Sequence, residues 1–153
     1  MTVSIRRAAR TDIPAIVALQ QAAYAQNRAL LGVEPLPLQA DYHEIFAGMD
    51  CWLAGDARDP DGVLILELRP DDLLIWSVAT HPRARGTGVG NALLAFAEAQ
   101  ASASGRTVVR LYTGEVLTAN IAWYGRCGFT VERVEQMADR RAVHMKKILE
   151  EAT

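Results

Sequence analysis

Hydrophobic and polar positions follow two different periods along the 153-residue chain. Short runs of Val, Ile, Leu and Trp predict strands, whereas apolar residues three or four positions apart predict helices. Strands are expected at residues 3–7, 51–54, 63–68, 73–80, 108–113, 129–136 and 142–148. Helices are expected at about 12–28, 38–47 and 88–104, with a short fourth helix that begins at residue 118.

Proline, glycine and aspartate mark the connections between these elements. Residues 32–37 predict a break, residues 59–62 a turn, and residues 137–139 the tip of a hairpin. No linker, repeat or low-complexity tract interrupts the pattern, so a single domain over 1–153 is expected. A chain of this length buries about 70% of its unfolded surface, which is enough for one core.

Composition argues against several classes of protein. The net charge is −2 and no basic stripe is present, which gives no support for nucleic-acid binding. No apolar run is long enough for a membrane span, and a signal-peptide core is lacking at the start. The two cysteines and three histidines are scattered without metal-ligand spacing. A reduced, cytoplasmic, metal-free protein is therefore expected.

The segment Arg85–Gly90 stands between the strand at 73–80 and the helix at 88–104. The first N–H groups of a helix lack intrahelical partners and carry partial positive charge, so they attract anions. Glycines allow the backbone to approach a phosphate closely. Arg83 and Arg85 add two permanent charges, which suits a pyrophosphate.

Several glycine-rich patterns compete for this segment. A Walker loop needs Lys and then Ser or Thr after its last glycine, where this chain has Asn91 and Ala92. A dinucleotide fingerprint needs different glycine spacing and an acidic residue after a second strand. The pattern Arg/Gln-x-x-Gly-x-Gly/Ala is met by Arg85, Gly88 and Gly90. The segment thus resembles the coenzyme A loop of the GNAT superfamily of acyl-CoA N-acyltransferases, although a simple turn between strand and helix remains the alternative.

A second segment, residues 118–129, resembles the other GNAT signature. That signature is a short helix with Asn and Tyr that ends on Gly-Phe, here Asn120, Tyr124 and Gly128-Phe129. Asn120 and Tyr124 are four residues apart and would share one helix face. The resemblance implies an α/β (α+β) fold: a central, mixed, mostly antiparallel twisted sheet of about six to seven strands flanked by about four helices.

The resemblance also implies acetyl-CoA as the donor substrate. In the family, the pantetheine arm pairs with the central strand, so Val78 and Thr80 would supply backbone hydrogen bonds, and an N–H near Val78 would face the oxyanion. The residues expected at coenzyme A are Val78, Ala79, Thr80, Arg83, Arg85, Gly86, Thr87, Gly88, Val89, Gly90, Asn120 and Tyr124.

Acyl transfer to an amine needs an acid for the leaving thiolate. Tyr124 is the candidate, because a phenol with a reference pKa of about 10 is protonated at neutral pH. The alternative is a core tyrosine that packs with Trp123 and Phe129.

The sequence offers several candidates for the general base. Relatives often carry a Glu about where Trp76 stands, and Trp accepts no proton. Glu67 is the best replacement, with a solvent-facing or Arg-paired Glu67 as the alternative. His81 and solvent are further alternatives.

An acceptor pocket is expected between the first two helices, the central strand and the loop after 113. Tyr24, Arg28, Tyr42 and Trp76 would line it, with Arg28 holding a carboxylate of the acceptor. The function expected is N-acetylation of a small-molecule or peptide amine by direct attack in a ternary complex. The alternative is a non-catalytic acyl-CoA-binding sensor or partner module. A third hypothesis is a nucleotide-binding protein unrelated to coenzyme A. A homodimer is compatible with the enzyme and with the module.

Overall fold

The computed structural model describes residues 3–56 and 58–149, so both ends of the predicted domain, residues 1 and 153, lie outside the described residues. The described residues form seven strands: β1 (Ile5–Arg7), β2 (Asp50–Gly55), β3 (Pro60–Leu68), β4 (Leu73–Thr80), β5 (Val108–Gly114), β6 (Thr130–Gln136) and β7 (Arg141–Ile148). The helices are α1 (Ile13–Leu31), α2 (Leu36–Gln39), α3 (Tyr42–Gly48), α4 (Val89–Ala103) and α5 (Thr118–Arg126), with short 3₁₀ turns at Arg10–Asp12 and Pro82–Ala84.

The strands form one sheet in the order β1-β2-β3-β4-β5-β7-β6. Every neighbouring pair is antiparallel except β4 and β5. The parallel pairing joins only Leu73–Ile75 to Val109–Leu111. Beyond these residues β4 and β5 separate, and a gap opens in the middle of the sheet.

Helices cover both faces of the sheet because β3 alternates its apolar side chains. Val63 and Ile65 pack in one cluster with Ile16 and Leu19 of α1. Leu64 and Leu66 pack in the other cluster, which contains α4 and α5 residues such as Leu93 and Tyr124. A strand that is buried on both faces has a continuous run of apolar residues in its sequence, as residues 63–66 do.

A β-bulge interrupts β4 at Trp76. Leu66 lies opposite Ile75 and Ile65 lies opposite Ser77, so Trp76 has no partner on β3. The extra residue interrupts the pattern in which successive side chains of β4 point to opposite faces of the sheet. As a result Trp76 and Ser77 both face α1, where Ser77 Oγ accepts a hydrogen bond of 3.0 Å from Gln20 Nε2.

The predicted fold class is confirmed: a mixed α/β fold with a seven-stranded, mostly antiparallel sheet. Three local predictions are wrong. The helix expected at 38–47 is two helices, because Ala40 is extended and the side chain of Asp41 caps α3 by accepting from His43 N at 2.9 Å. The start of α2 at Leu36 also shortens the break expected at 32–37, since proline is tolerated in a first helical turn.

The turn expected at 59–62 is largely strand, because Pro60 begins β3 opposite Gly55 and Gly62 pairs with Ala54. Proline has no N–H to donate to a neighbouring strand, and it is tolerated at the first residue of a strand for that reason. Gly62 lets α4 approach: a Cβ there would lie 2.8 Å from Val89 Cγ1. Glycine here therefore serves packing between helix and sheet.

Candidate active site

A cleft of about 1010 Å³ occupies the gap between β4 and β5. On the β4 side, called the loop side, it reaches the segment from Arg85 to Gly88. On the β5 side, called the hairpin side, it reaches the β6–β7 hairpin at Met137 and Arg140. Helices α1 and α5 form the remaining walls.

The N-terminus of α4 opens into the loop side of the cleft. Gly88 is its N-cap, with φ of 93° and no side-chain capping bond. Among the described residues, the N–H groups of Val89, Gly90 and Asn91 have no partner, since the first helical bond is from Ala92 N to Gly88 O. Three free donors at a helix N-terminus attract a phosphate. This group of donors is called the anion cradle.

Glycines keep the space at the cradle open. Gly86 and Gly88 have φ of 78° and 93°, values that other residues rarely adopt, and a Cβ on either would meet nothing within 4 Å. Arg85 reaches across to α1, where its Nη2 donates to Ala23 O at 2.9 Å. The cradle is therefore accessible and has one arginine beside it.

The backbone of β4 faces the gap at two positions. His81 N donates to Asp61 O, so these two residues form a hydrogen-bonded pair of the ladder between β4 and β3. Hydrogen-bonded and non-hydrogen-bonded pairs alternate along an antiparallel ladder. The pairs of Thr80 with Gly62 and of Val78 with Leu64 are therefore non-hydrogen-bonded. The N–H and C=O groups of Val78 and Thr80 thus point away from β3. Because pairing with β5 stops at Ile75, these groups face the cleft.

Tyr124 lies between the core and the cleft. Its ring packs edge-on against Phe129, and the residue is 7% exposed while lining the cleft. Burial raises the pKa of Tyr124 well above its usual value, and the nearby Tyr24 phenol adds to the rise. Tyr124 is therefore protonated at neutral pH.

Residues 47–131 match the family model of the acetyltransferase (GNAT) domain, which covers more than half of the chain. The chain belongs to the GNAT acetyltransferase family. Members of this family use acetyl-CoA. No curated protein matches the sequence.

Structures of several GNAT proteins share the fold at low sequence identity. The ribosomal-protein-S18-alanine N-acetyltransferase of Escherichia coli is 18% identical with a TM-score of 0.78, and the match covers 99% of this chain and 97% of that one. The PaiA N-acetyltransferase of Thermoplasma acidophilum, in complex with coenzyme A, is 16% identical with a TM-score of 0.77, covering 97% and 99%. The IAA acetyltransferase of Bacillus cereus is 21% identical with a TM-score of 0.72, covering 97% and 100%.

Most of the residues expected at coenzyme A line the GNAT cleft. These are Val78, Ala79, Thr80, Arg85, Gly86, Thr87, Gly88, Gly90, Asn120 and Tyr124. Tyr24 and Trp76, expected at the acceptor, line it too.

The side chains of two residues expected at coenzyme A do not line the cleft, although the N–H of one of them, Val89, belongs to the anion cradle. Arg83 pairs with Asp59 at 2.7 Å and Asp61 at 3.1 Å and donates to the carbonyls of Asp59 and Pro60, so its charge is already neutralised. The side chain of Val89 is buried in the core against the sheet.

Three further expected residues do not line the cleft. Arg28 is exposed and paired with Glu34 at 3.0 Å. Tyr42 is buried and donates to Pro37 O at 2.7 Å, so it supports a residue that does line the cleft. Glu67 lies opposite Leu74 and does not line the cleft, but its charge adds to the rise that burial causes in the pKa of Tyr112, which does line it.

Positive charge dominates the lining of the cleft in the described residues. Within residues 3–56 and 58–149, no Asp, Glu, His or Lys lines it, and its charged residues are Arg85, Arg126 and Arg140. His81 caps the 3₁₀ turn instead, with Nδ1 accepting from Arg83 N at 3.2 Å. In the described part of the chain, the arrangement therefore offers donors and positive charge, with no carboxylate or imidazole.

Sequence reasoning missed several lining residues, among them Asn91, Tyr112, Arg126 and Arg140. Asn91 has a clear local role, since its Oδ1 accepts a 2.9 Å bond from Trp123 Nε1 and ties α4 to α5. Arg126 precedes Cys127, whose sulfur lies 3.9 Å from the same oxygen, so Arg126 belongs to the loop side. The position of Asn91 directly after the glycine loop is the one signal in the sequence that pointed to these contacts.

Two kinds of feature are missing from the described residues. They contain no helix long and apolar enough to cross a membrane. They also contain no cluster of three His, Cys, Asp or Glu residues that would hold a metal ion.

Proposed function

We propose that the chain transfers an acetyl group from acetyl-CoA to the primary amine of a small molecule or peptide, by direct attack of the amine in a ternary complex. One observation carries the proposal: the open edge of β4 leads from the anion cradle to a cleft that contains the Tyr124 phenol. An extended chain with an anionic group at one end and a reactive group at the other fits this path.

The loop side supplies the contacts that coenzyme A needs. The free N–H groups of Val89, Gly90 and Asn91, with Arg85, suit the pyrophosphate. The outward backbone groups of Val78 and Thr80 suit the amides of the pantetheine arm, as in the addition of a strand to a sheet edge. Acetyl-CoA supplies a thioester whose carbonyl carbon accepts the amine and whose sulfur leaves.

Two phenols lie close to the expected position of the thioester. Tyr124 is the proposed acid, because it borders the cleft and retains its proton. Tyr24 lies opposite on α1, with its hydroxyl 3.5 Å from Ser77 Oγ, and burial raises its pKa as well. Tyr24 is therefore the competing donor.

Water is the proposed proton acceptor for the amine. No acidic or imidazole side chain lines the described cleft, and the backbone carbonyls of β4 offer acceptors that would hold a water near the nucleophile. Glu67 is a poorer candidate than its sequence position suggests, because it does not line the cleft and would reach the amine only through water.

The absence of a base from the described cleft also favours the second candidate, an acyl-CoA-binding module without turnover. Thiol release from acetyl-CoA with a panel of amines separates the two. The proposal predicts thiol release that depends on the amine, together with an acetylated product identified by mass spectrometry. Tight binding of coenzyme A in calorimetry with no product from any amine supports the module.

A further inference from the structure

Arg140 joins two distant segments across the hairpin side of the cleft. Its Nη2 donates to Glu34 O at 2.9 Å, over 106 positions of sequence, while Nε and Nη2 bind the carboxylate of Asp139 at 2.9 and 3.0 Å. The Arg140 side chain is only 8% exposed. These bonds hold the guanidinium in one orientation at the wall of the cleft.

One guanidinium nitrogen of Arg140 is still available. Among the described residues, no group accepts a hydrogen bond from Nη1, and Arg140 lines the cleft. A fixed guanidinium with free N–H groups is a suitable partner for a carboxylate. It loses little side-chain entropy on binding, since Asp139 and Glu34 already restrain it.

The surroundings of Arg140 are apolar. The apolar lining of the hairpin side includes Leu31, Pro35, Leu36, Leu117 and Met137. Leu30 and Val116 are 57% and 54% exposed, so apolar surface continues to the rim. Exposed apolar surface beside a cleft indicates that an apolar group binds there.

The charges of the cleft oppose a cationic acceptor. All three charged lining residues in the described part of the chain are arginines, and two of them, Arg85 and Arg126, belong to the loop side. An ammonium group on the hairpin side would lose hydration without gaining a counter-charge and would meet Arg140. A polyamine or a lysine-rich peptide is therefore a poor match.

We propose that the acceptor is an apolar amine that also carries a carboxylate, such as an apolar amino acid or short peptide, and that Arg140 Nη1 binds this carboxylate. The inference rests on the acetyl transfer proposed above. It replaces Arg28, which is exposed and paired with Glu34, as the residue for an acceptor carboxylate.

The test compares matched acceptors and matched variants. The acceptors are apolar amino acids and apolar di- and tripeptides, each as the free carboxylate and as its C-terminal amide, with spermidine as a polycation. The variants are Arg140→Gln and Arg140→Lys, and the control is Arg141→Gln. Arg141 is a suitable control because it is on the same hairpin, is paired with Glu115 at 3.3 Å and does not line the cleft. The readout is kcat/KM from thiol release.

The parent chain should prefer carboxylates over their amides. Arg140→Gln should reduce that preference about 10- to 100-fold through a higher KM for the carboxylate, which is the usual effect of losing a hydrogen bond to a charged group. Arg140→Lys should retain part of the preference and Arg141→Gln all of it. A preference that persists in Arg140→Gln, or spermidine as the best acceptor, would overturn the inference while acetyl transfer stands. No product from any amine would instead contradict acetyl transfer, and the inference with it.

Discussion

Gly88 and Gly105 lie just outside the two ends of α4, and both have positive φ values, 93° and 74°. A Cβ on either residue would meet no atom within 4 Å. The two glycines therefore share a backbone requirement, but only Gly88 borders the cleft. This pair separates the structural role of a glycine from a role in binding.

Gly88→Ala and Gly105→Ala should lower stability by similar amounts, about 1–2 kcal/mol, because each places a Cβ in a left-handed conformation. Only Gly88→Ala should weaken coenzyme A binding, by about tenfold or more, since its Cβ enters the space where the pyrophosphate would contact N–H groups. Urea unfolding and calorimetry measure the two effects. Equal affinity in both variants would remove the anion cradle from the coenzyme A site.

Tyr124→Phe should lower kcat by about 10²- to 10⁴-fold, because it keeps the ring and its packing on Phe129 but deletes the proton. Binding of acetyl-CoA should change little. Tyr24→Phe is the matched variant, since it removes a second phenol that lines the cleft. A larger loss of kcat in Tyr24→Phe than in Tyr124→Phe would reverse their roles.

Solvent as the base predicts a rate that rises with pH and levels off at the pKa of the acceptor amine. An α-amine with a pKa of about 7.7–8.0 should then react faster at neutral pH than a lysine-type amine of about 10.4. Glu67→Gln should leave the profile of kcat/KM unchanged. If that substitution removes a low-pH limb, Glu67 is the base after all.

Trp76→Glu places a carboxylate where relatives often carry one. It should add activity at low pH if the chain lacks only a base. A loss of activity with intact coenzyme A binding would instead assign Trp76 to the shape of the acceptor pocket.

Sequence patterns predicted the parts of the site whose requirements are local. Gly86 and Gly88 are there because the turn needs positive φ, and that need is visible in the residue type. The position of Arg83 was not predictable, since its partners Asp59 and Asp61 lie more than 20 residues away. The same holds for Arg140 and Glu34, which meet only in the folded chain. Local sequence thus indicates backbone conformation, whereas the partner of a charged side chain depends on the tertiary structure.

Asp72 should determine part of the acid stability of the fold. Arg69 and Arg110 bind it at 2.6 and 2.8 Å, and they lower the pKa of this 5%-exposed carboxylate, Arg69 most strongly. The pKa of Asp72 is lower in the folded state than in the unfolded state. Its contribution to the free energy of unfolding is therefore complete above the unfolded pKa of about 3.9 and is lost as the pH falls through the folded pKa. Asp72→Asn should cost about 1–3 kcal/mol at neutral pH, because Arg69 and Arg110 are about a third exposed and water screens their charges, and it should reduce the loss of stability in acid. An unchanged urea midpoint at neutral pH would contradict this account.

The most direct test of acetyl transfer is thiol release from acetyl-CoA by the parent chain and by Tyr124→Phe, with a mixture of carboxylated apolar amines. The account predicts amine-dependent thiol release by the parent, an equal amount of acetylated amine by mass spectrometry, and a large loss of both in the variant. Calorimetry should show that both proteins bind coenzyme A equally well. Equal binding with no acetylated amine from the parent, across that mixture and other primary amines, would contradict the proposed activity.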